Sequence, residues 1–308
     1  VTVGRKKAEE MKPHLARFAA KEDDFMAYLK LQRHKDTEMP VIDSVEVVNK
    51  TSLPTKLIGA HIDIKPGKKL DLSQLRRNID RIYGIDTFER VDFRLMKKDK
   101  STGIVFEPLE KSWGPNYFRF GLGMEDSFKG VSKYALTTKF TKTAMNRLAG
   151  EWSTEVRIGE NSRIVTEFYQ PVDDSLSYFV AVNAGYRVRD FNDYNEDGDV
   201  TTQHRAHSIH AGLDVGRQFG NWGELRLGIN REYGAVRVLV GDHTGPAEYY
   251  NRASIFASAA YSTLDNYVFP LSGTDAYLTW NYNLKMLGSD IEVQALAFKW
   301  MTALTWRK

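Results

Sequence analysis

From about Trp113 to the end of the chain, apolar and polar residues alternate with a period of two. Phe118, Phe120, Leu122 and Met124 alternate with Tyr117, Arg119, Gly121 and Gly123; Trp152, Thr154, Val156 and Ile158 alternate with Glu151, Ser153, Glu155 and Arg157. Further on, Val180, Val182, Ala184, Tyr186 and Val188 oppose Asn183, Arg187 and Arg189. Leu225, Leu227 and Ile229 then oppose Glu224, Arg226, Gly228 and Asn230. A period of two sends alternate side chains to opposite faces of a strand, and about ten such strands can be counted. Alternation alone does not separate a soluble all-β domain from a membrane barrel. The connections favour the barrel. Tight ones are expected near Asn146–Ala149, Pro171–Leu176, Gln218–Trp222 and Asn266–Ser272, and longer polar ones at Phe191–Gln203 and Tyr233–Arg252. That pattern fits an antiparallel transmembrane β-barrel with turns at one rim and loops at the other. Aromatic residues near strand ends (Trp113, Tyr117, Trp152, Tyr169, Tyr178, Trp222, Tyr267, Phe269) are expected to form interfacial girdles.

Upstream the period differs. Residues 39–111 read as one α+β unit in the order strand, helix, helix, strand, strand. Val41–Val48 is a strand ended by polar Asn49–Ser52, and a short helix starts at Pro54 and carries Leu57, Ile58 and Ile62. A second helix is capped by Asp71 or Ser73, shows Leu72, Leu75, Ile79 and Ile82 at helical spacing, and stops at Gly84. Phe88–Met96 and Gly103–Leu109 are the last strands. Residues 1–38 read as helix interrupted at Pro13, with Ala8, Met11, Leu15, Phe18, Ala19, Phe25, Met26, Leu29 and Leu31 on a stripe that nothing local can bury.

Composition changes this picture little. A mean hydropathy of −0.44 and a net charge of +3 suit a soluble protein as well as a barrel whose strands alternate, and no stretch is long and apolar enough for a spanning helix. The chain has no cysteine, which removes disulfides, thiolate nucleophiles and cysteine-based zinc sites. It begins at Val1 without a signal peptide, although a barrel needs export; a piece of a longer polypeptide is the expected explanation.

Several segments resemble a known family. The unit containing Leu75-x-x-x-Ile79-x-x-Ile82-Tyr83-Gly84, followed by Phe88-Glu89-x-Val91, resembles a POTRA domain. The barrel resembles the BamA/TamA superfamily of outer-membrane assembly and translocation proteins. Asp265-Asn266-Tyr267-Val268-Phe269-Pro270-Leu271-Ser272-Gly273-Thr274 is similar to the turn between the eighth and ninth strands of those barrels, which is where the strand count puts it. Lys111-Ser112-Trp113-Gly114-Pro115-Asn116-Tyr117 and Gly220-Asn221-Trp222-Gly223-Glu224 are similar to patatin-like phospholipases exported in fusion with such a barrel.

The resemblance implies a β-α-α-β-β POTRA domain over residues 39–111, followed by the first part of an antiparallel transmembrane β-barrel over 112–308. It makes residues 1–38 the helical tail of a preceding patatin-like domain. It implies an outer-membrane location in a Gram-negative bacterium with the POTRA domain in the periplasm, and a role as anchor and translocator of a surface-exposed lipase. A general assembly or translocation barrel is the alternative. Implied partners are outer-membrane lipid and lipopolysaccharide, the upstream domain in cis and the outer-membrane assembly machinery; a homodimer is left open and nucleic acid is not expected. The lipase's Gly-x-Ser-x-Gly elbow and the family's sixth-loop Arg-Gly motif do not occur, so no catalytic residue is expected in this chain and the sheet is expected to stay unclosed.

The remaining constellations carry bland readings. Asp193-Tyr194-Asn195-Glu196-Asp197-Gly198-Asp199 fits the first half of a calcium loop, but His204 stands where a bidentate glutamate is needed, so a solvated loop is favoured. Arg119, Lys139, Glu155, Arg157, Arg163, Glu167, Arg187, Arg189, Asp214 and Arg226 are expected to line a hydrated, cross-paired interior rather than a conduction path. His204, His207 and His210, three apart on a strand, face alternate sides, and Arg76, Arg77 and Arg81 read as a solvated helix face. No metal or cofactor is expected.

Overall fold

The computed structural model describes residues 2–32, 38–99, 101–126, 132–241 and 245–306. Residues 33–37 of the expected helical tail, and the final Arg307 and Lys308, lie outside the described residues. The chain divides into two units, Val1–Pro40 and Val41–Lys308. In the first, helix α1 (Thr2–Leu15) is followed by a single 3₁₀ turn, Ala16–Phe18, and helix α2 (Glu22–Gln32). Pro13 sits in the last turn of α1, close to where the helix gives way. Met11, Leu15, Phe25 and Met26 are all exposed, so the apolar stripe is unburied.

The second unit begins with the α+β portion. Strand β1 (Val41–Ile42) pairs with β3 (Lys68–Lys69), and β2 (Ser44–Val47) lies parallel to β5 (Ser101–Glu110), which pairs antiparallel with β4 (Phe88–Lys98). The expected Val41–Val48 strand is thus two pieces. Asp43 divides them, its carboxylate taking the Thr102 N–H at 2.7 Å while its own N–H donates to the Thr102 carbonyl. Helix α3 (Thr55–Gly59) follows Pro54, and α4 (Leu72–Tyr83) is capped by Asp71, whose Oδ1 accepts from Ser73 N at 2.8 Å. Leu75, Asn78 and Ile82 recur at helical spacing and are buried, whereas Leu72, in the first turn, points out. Ile42, Leu57, Ile58, Phe88, Ile104 and Phe106, all fully buried, complete the core.

A polar clamp closes one edge of this core. Asp63 N–H donates to Asn78 Oδ1 at 2.7 Å, the Asn78 amide donates to the Asp63 carboxylate and the Gln74 carbonyl, and Arg81 Nη1 reaches Asp63 Oδ2 at 3.1 Å. Burial raises the Asp63 pKa, but the hydrogen bonds from Asn78 and Gln74 and the Arg81 charge outweigh it and hold the carboxyl below its usual range. Burial pushes the neighbouring His61 imidazole down.

The rest is a single antiparallel sheet. Its strands are β6 (Asn116–Asp126), β7 (Ser132–Lys142), β8 (Glu151–Gly159), β9 (Arg163–Pro171), β10 (Tyr178–Tyr194), β11 (Val200–Phe219), β12 (Gly223–Val240), β13 (Glu248–Ser262), β14 (Gly273–Asn283) and β15 (Val293–Ala303). Each strand pairs with its chain neighbours, and among the described residues the ten-stranded sheet is open between β6 and β15. The expected difference in loop length is not found. Asp190 pairs with Arg205 and Tyr194 with Val200, and β12 and β13 run on to Val240 and from Glu248, so the segments read as long loops are mostly hydrogen-bonded strand. Paired strands β10 to β13 are 17, 20, 18 and 15 residues long, well beyond the roughly 9–11 that cross a bilayer. The excess that composition suggested for loops resides in strand, because alternation and β-propensity persist through it. No helix among the described residues is long and apolar enough to cross a membrane, which has no bearing on strands.

Candidate functional site

The two faces of the sheet are chemically opposite. Outward lie Phe118, Phe120, Leu122 and Met124 of β6, Val182 and Tyr186 of β10, Ile209, Leu213 and Val215 of β11, and Leu225, Leu227 and Ile229 of β12. All are substantially exposed, Met124 at 79% and Leu227 at 59%. A soluble protein does not leave such a continuous apolar surface to water; a barrel wall turns it to hydrocarbon. At the rim with the tight turns, Trp152, Tyr178, Trp222 and Tyr261 join this face, with Trp222 edge-on to Tyr261 at 5.8 Å. At the other rim are Tyr186, Tyr233 and Tyr249, the last two stacked at 6.1 Å.

Tyr117 and Tyr169 are corrections to the expected girdle. Their strand parity puts them on the inner face, where Lys111 Nζ lies 5.4 Å from the Tyr117 ring and Tyr169 packs 4.6 Å from Phe179. Position near a strand end was read as exposure to lipid; the period of two overrides it.

The inner face holds the charges. Arg226 is their centre: Nη1 donates to Glu167 Oε2 at 3.0 Å and to Asp214 Oδ2 at 3.1 Å, and Nε donates to Glu224 Oε1 at 3.0 Å. Its guanidinium also lies 5.1 Å from the Phe179 ring. Phe179 covers Gly216 so closely that a Cβ there would come within 2.2 Å of the ring, which is why the facing position is glycine. Glu155 pairs with Arg163 at 2.6 Å. Lys139 and Arg187 join Glu155, Arg163 and Glu167 around an open recess of about 280 Å³, and Arg119 stands opposite Lys139 in the register. Arg157 faces Arg163, and Arg189 lies 5.9 Å from the Phe191 ring towards the far rim. Of the ten charges read from the sequence, Glu155, Arg163, Glu167, Asp214 and Arg226 are ion-paired, whereas Arg119 stands opposite Lys139 and Arg157 opposite Arg163; they line one wall without converging on a site.

The other candidates disperse. Asp193 engages His204 at 2.7 Å, while the Asn195 side chain accepts from Asp199 N at 2.7 Å and closes the turn on itself. His207 bonds the outward Tyr186 hydroxyl at 2.6 Å, and His210 is buried within the inner face. No group of three His, Asp or Glu residues among the described residues is placed to hold a metal ion. Arg76 and Arg77 are exposed, and Arg81 is taken by Asp63.

What sequence reasoning missed is the seam between the α+β core and the sheet. Ala144, Ala149 and Leu176, in the turns β7–β8 and β9–β10, pack against that core. Lys56 Nζ pairs with Asp174 at 2.6 Å, and Asn221 Nδ2, in the turn β11–β12, donates to the Asp80 carbonyl at 3.0 Å. Three successive tight turns thus seat the α+β unit on one rim. The signal available was weak: small or lone apolar residues in otherwise polar turns.

Comparison with known proteins agrees with this geometry. The Omp85 superfamily domain matches residues 148–308, more than half of the chain. BamA from Haemophilus ducreyi lacking POTRA domains 1–3 superposes with a TM-score of 0.57 at 12% identity, over 81% of this chain and 49% of that one. CdiB from Acinetobacter baumannii superposes at 0.50 with 7% identity, over 85% and 48%. The chain thus spans about half the length of these solved structures. No curated protein sequence matches it. With an apolar outer wall, a charged inner wall and an α+β unit seated on one rim, this chain belongs to the Omp85 superfamily and carries part of its outer-membrane β-barrel.

Proposed function

We propose that the chain anchors and exports. The sheet seats the protein in the outer membrane of a Gram-negative bacterium, and the α+β unit is a POTRA domain facing the periplasm at the barrel mouth. The observation that carries this reading is the seam: the α+β core is continuous with the β7–β8, β9–β10 and β11–β12 connections, and with the α+β unit read as a POTRA domain that rim is the periplasmic one. The superposition of BamA lacking POTRA domains 1–3 covers 81% of this chain, more than the ten-stranded sheet alone spans, which supports a shared fold that takes in the α+β unit. By resemblance in the Trp-Gly segments, the cargo is the protein's own patatin-like lipase domain, and residues 1–38, with their unburied stripe, are that domain's tail. The family match favours a second reading, a general assembly or translocation barrel that handles other chains.

Two measurements separate these possibilities. A protease site placed at residues 195–199 is expected to be cut on intact cells, and one placed at the β4–β5 turn only after the outer membrane is permeabilised; the reverse pattern overturns the topology. An upstream Gly-x-Ser-x-Gly with a partner aspartate supports the lipase, whereas tandem POTRA units there support the assembly barrel.

A further inference from the structure

On the outward face of the sheet, Arg231 interrupts the apolar band near its far edge. Along β12 the outward residues run Leu225, Leu227, Ile229, then Arg231 and Tyr233. Ala184, Ala211, Arg231 and Ala253 stand in one register row, while the rows beside it are bulky: Val182, Leu213, Ile229 and Ile255 below, Tyr186, Ile209 and Tyr233 above. A row of small residues between two rows of large ones is a furrow across the wall.

The β14–β15 connection roofs its end. Leu284 N–H donates to the Ala253 carbonyl at 2.9 Å and Asp290 N–H to the Asn251 carbonyl at 3.0 Å, so this segment folds over β13. Arg231 Nη1 donates to the Leu287 carbonyl at 2.6 Å, and Nη2 to Asn251 Oδ1 at 3.3 Å. Ala211, Leu213, Ile229, Arg231, Ala253 and Leu287 enclose a recess of about 380 Å³. The arginine's partners are neutral, and Asp290 accepts from Asn251 N–H instead, so among the described residues no carboxylate pairs with Arg231.

A cation on a lipid-facing wall is costly unless it reaches the interface or meets an anion. Arg231 lies eight positions beyond Gly223, about 20 Å above the rim of tight turns at ~3.3 Å per residue and a tilt of roughly 40°, close to the far edge of an apolar band about 25 Å tall. We propose that the furrow and Arg231 bind lipopolysaccharide of the surface leaflet, one acyl chain lying along the alanine row and a phosphate on the guanidinium. The fork geometry of arginine suits a phosphate oxygen pair, and the apolar furrow suits a chain end. The proposal rests on the topology given above, which makes the far rim the surface side.

The test uses the protein extracted from outer membranes in mild nonionic detergent, with retained lipid read by native mass spectrometry after a delipidating wash. Wild-type protein is expected to keep lipopolysaccharide. Arg231→Gln lowers retention about tenfold, Arg231→Lys less, and Ala211→Leu, at an exposed position of the alanine row, lowers it with the arginine intact, because the furrow is filled. Arg217→Gln, at the opposite rim, leaves retention unchanged. Equal retention by wild type and Arg231→Gln, or preferential retention of phospholipid by wild type, overturns the proposal. Should Arg231→Gln fail to fold, Arg231→Lys and Ala211→Leu decide it. Reversed protease accessibility marks failure of the topology, whereas correct accessibility with unaltered lipid retention marks failure of this site alone.

Discussion

The α+β unit and the barrel sheet use the same residue types in opposite senses. In the first, Phe106 of β5 is fully buried in the core; in the second, Phe120 of β6 is 75% exposed. β6 alternates, whereas β5, the central strand of its sheet, buries Gly103 through Phe106 in succession. The α+β unit has helices to cover one face of a three-stranded sheet, so its apolar residues turn inward and the hydrophobic effect folds it in water. The barrel sheet has no covering layer, so its apolar residues need hydrocarbon and its charges fill the inside. The solvent that each apolar face requires follows from what stands next to the strand.

Substitutions sharpen that contrast. Phe106→Ala is expected to cost the α+β unit about 3–5 kcal/mol, read as a lower denaturant midpoint for this unit, with the detergent-resistant gel mobility of the sheet unaltered. Loss of sheet mobility instead would mean that the two regions fold as one. Leu227→Arg does the converse: about 2–4 kcal/mol is lost from insertion of the sheet, read by extraction from membranes, while the unfolding of the α+β unit stays where it was. If it inserts as well as wild type, the outer face does not meet lipid.

A smaller loss, roughly 1–3 kcal/mol, is expected for Asn78→Ala, which leaves the Asp63 N–H and carboxylate without their buried partner. The effect of pH is smaller again and specific to the α+β unit. His61 has a lowered folded pKa, so its contribution is complete above about 6.5, where the unfolded imidazole is also neutral, and fades as pH falls below that value. Asp63, also lowered, contributes fully above about 3.9 and loses its contribution as pH falls through its folded pKa. A two-step acid destabilisation follows, and His61→Gln should abolish the upper step only; an unchanged profile in that variant would discard the assignment.

Much of this was legible in the sequence. The period of two fixed which residue lies on which face for Val182, Leu227 or Arg226, and the Asp265–Thr274 turn falls between the eighth and ninth strands of the sheet as its resemblance implied. Helix α4 showed its cap and its buried stripe. Three features were hidden, each for a physical reason. The outer ends of β10 and β11 read as loop because Asn192, Asp193, Thr202 and Gln203 look solvated, whereas they pair across the strands, Asn192 with Gln203 and Asp193 with Thr202. Tyr169 looked like an interface residue because its strand position, not its parity, was weighed. The furrow beside Arg231 was invisible because it depends on register across four strands, which no single strand's sequence encodes.

The long middle strands also determine what meets the medium beyond the far edge of the apolar band. From Tyr233 to Val240 on β12 and from Glu248 to Asn251 on β13, the backbone remains laddered at and beyond the Tyr186–Ile209–Tyr233 row of the outer wall. The protein therefore ends on that side in a stiff fence rather than in free strings of peptide. Amide protons there should exchange slowly with deuterium, and any molecule approaching from that direction must recognise a fixed, pleated surface.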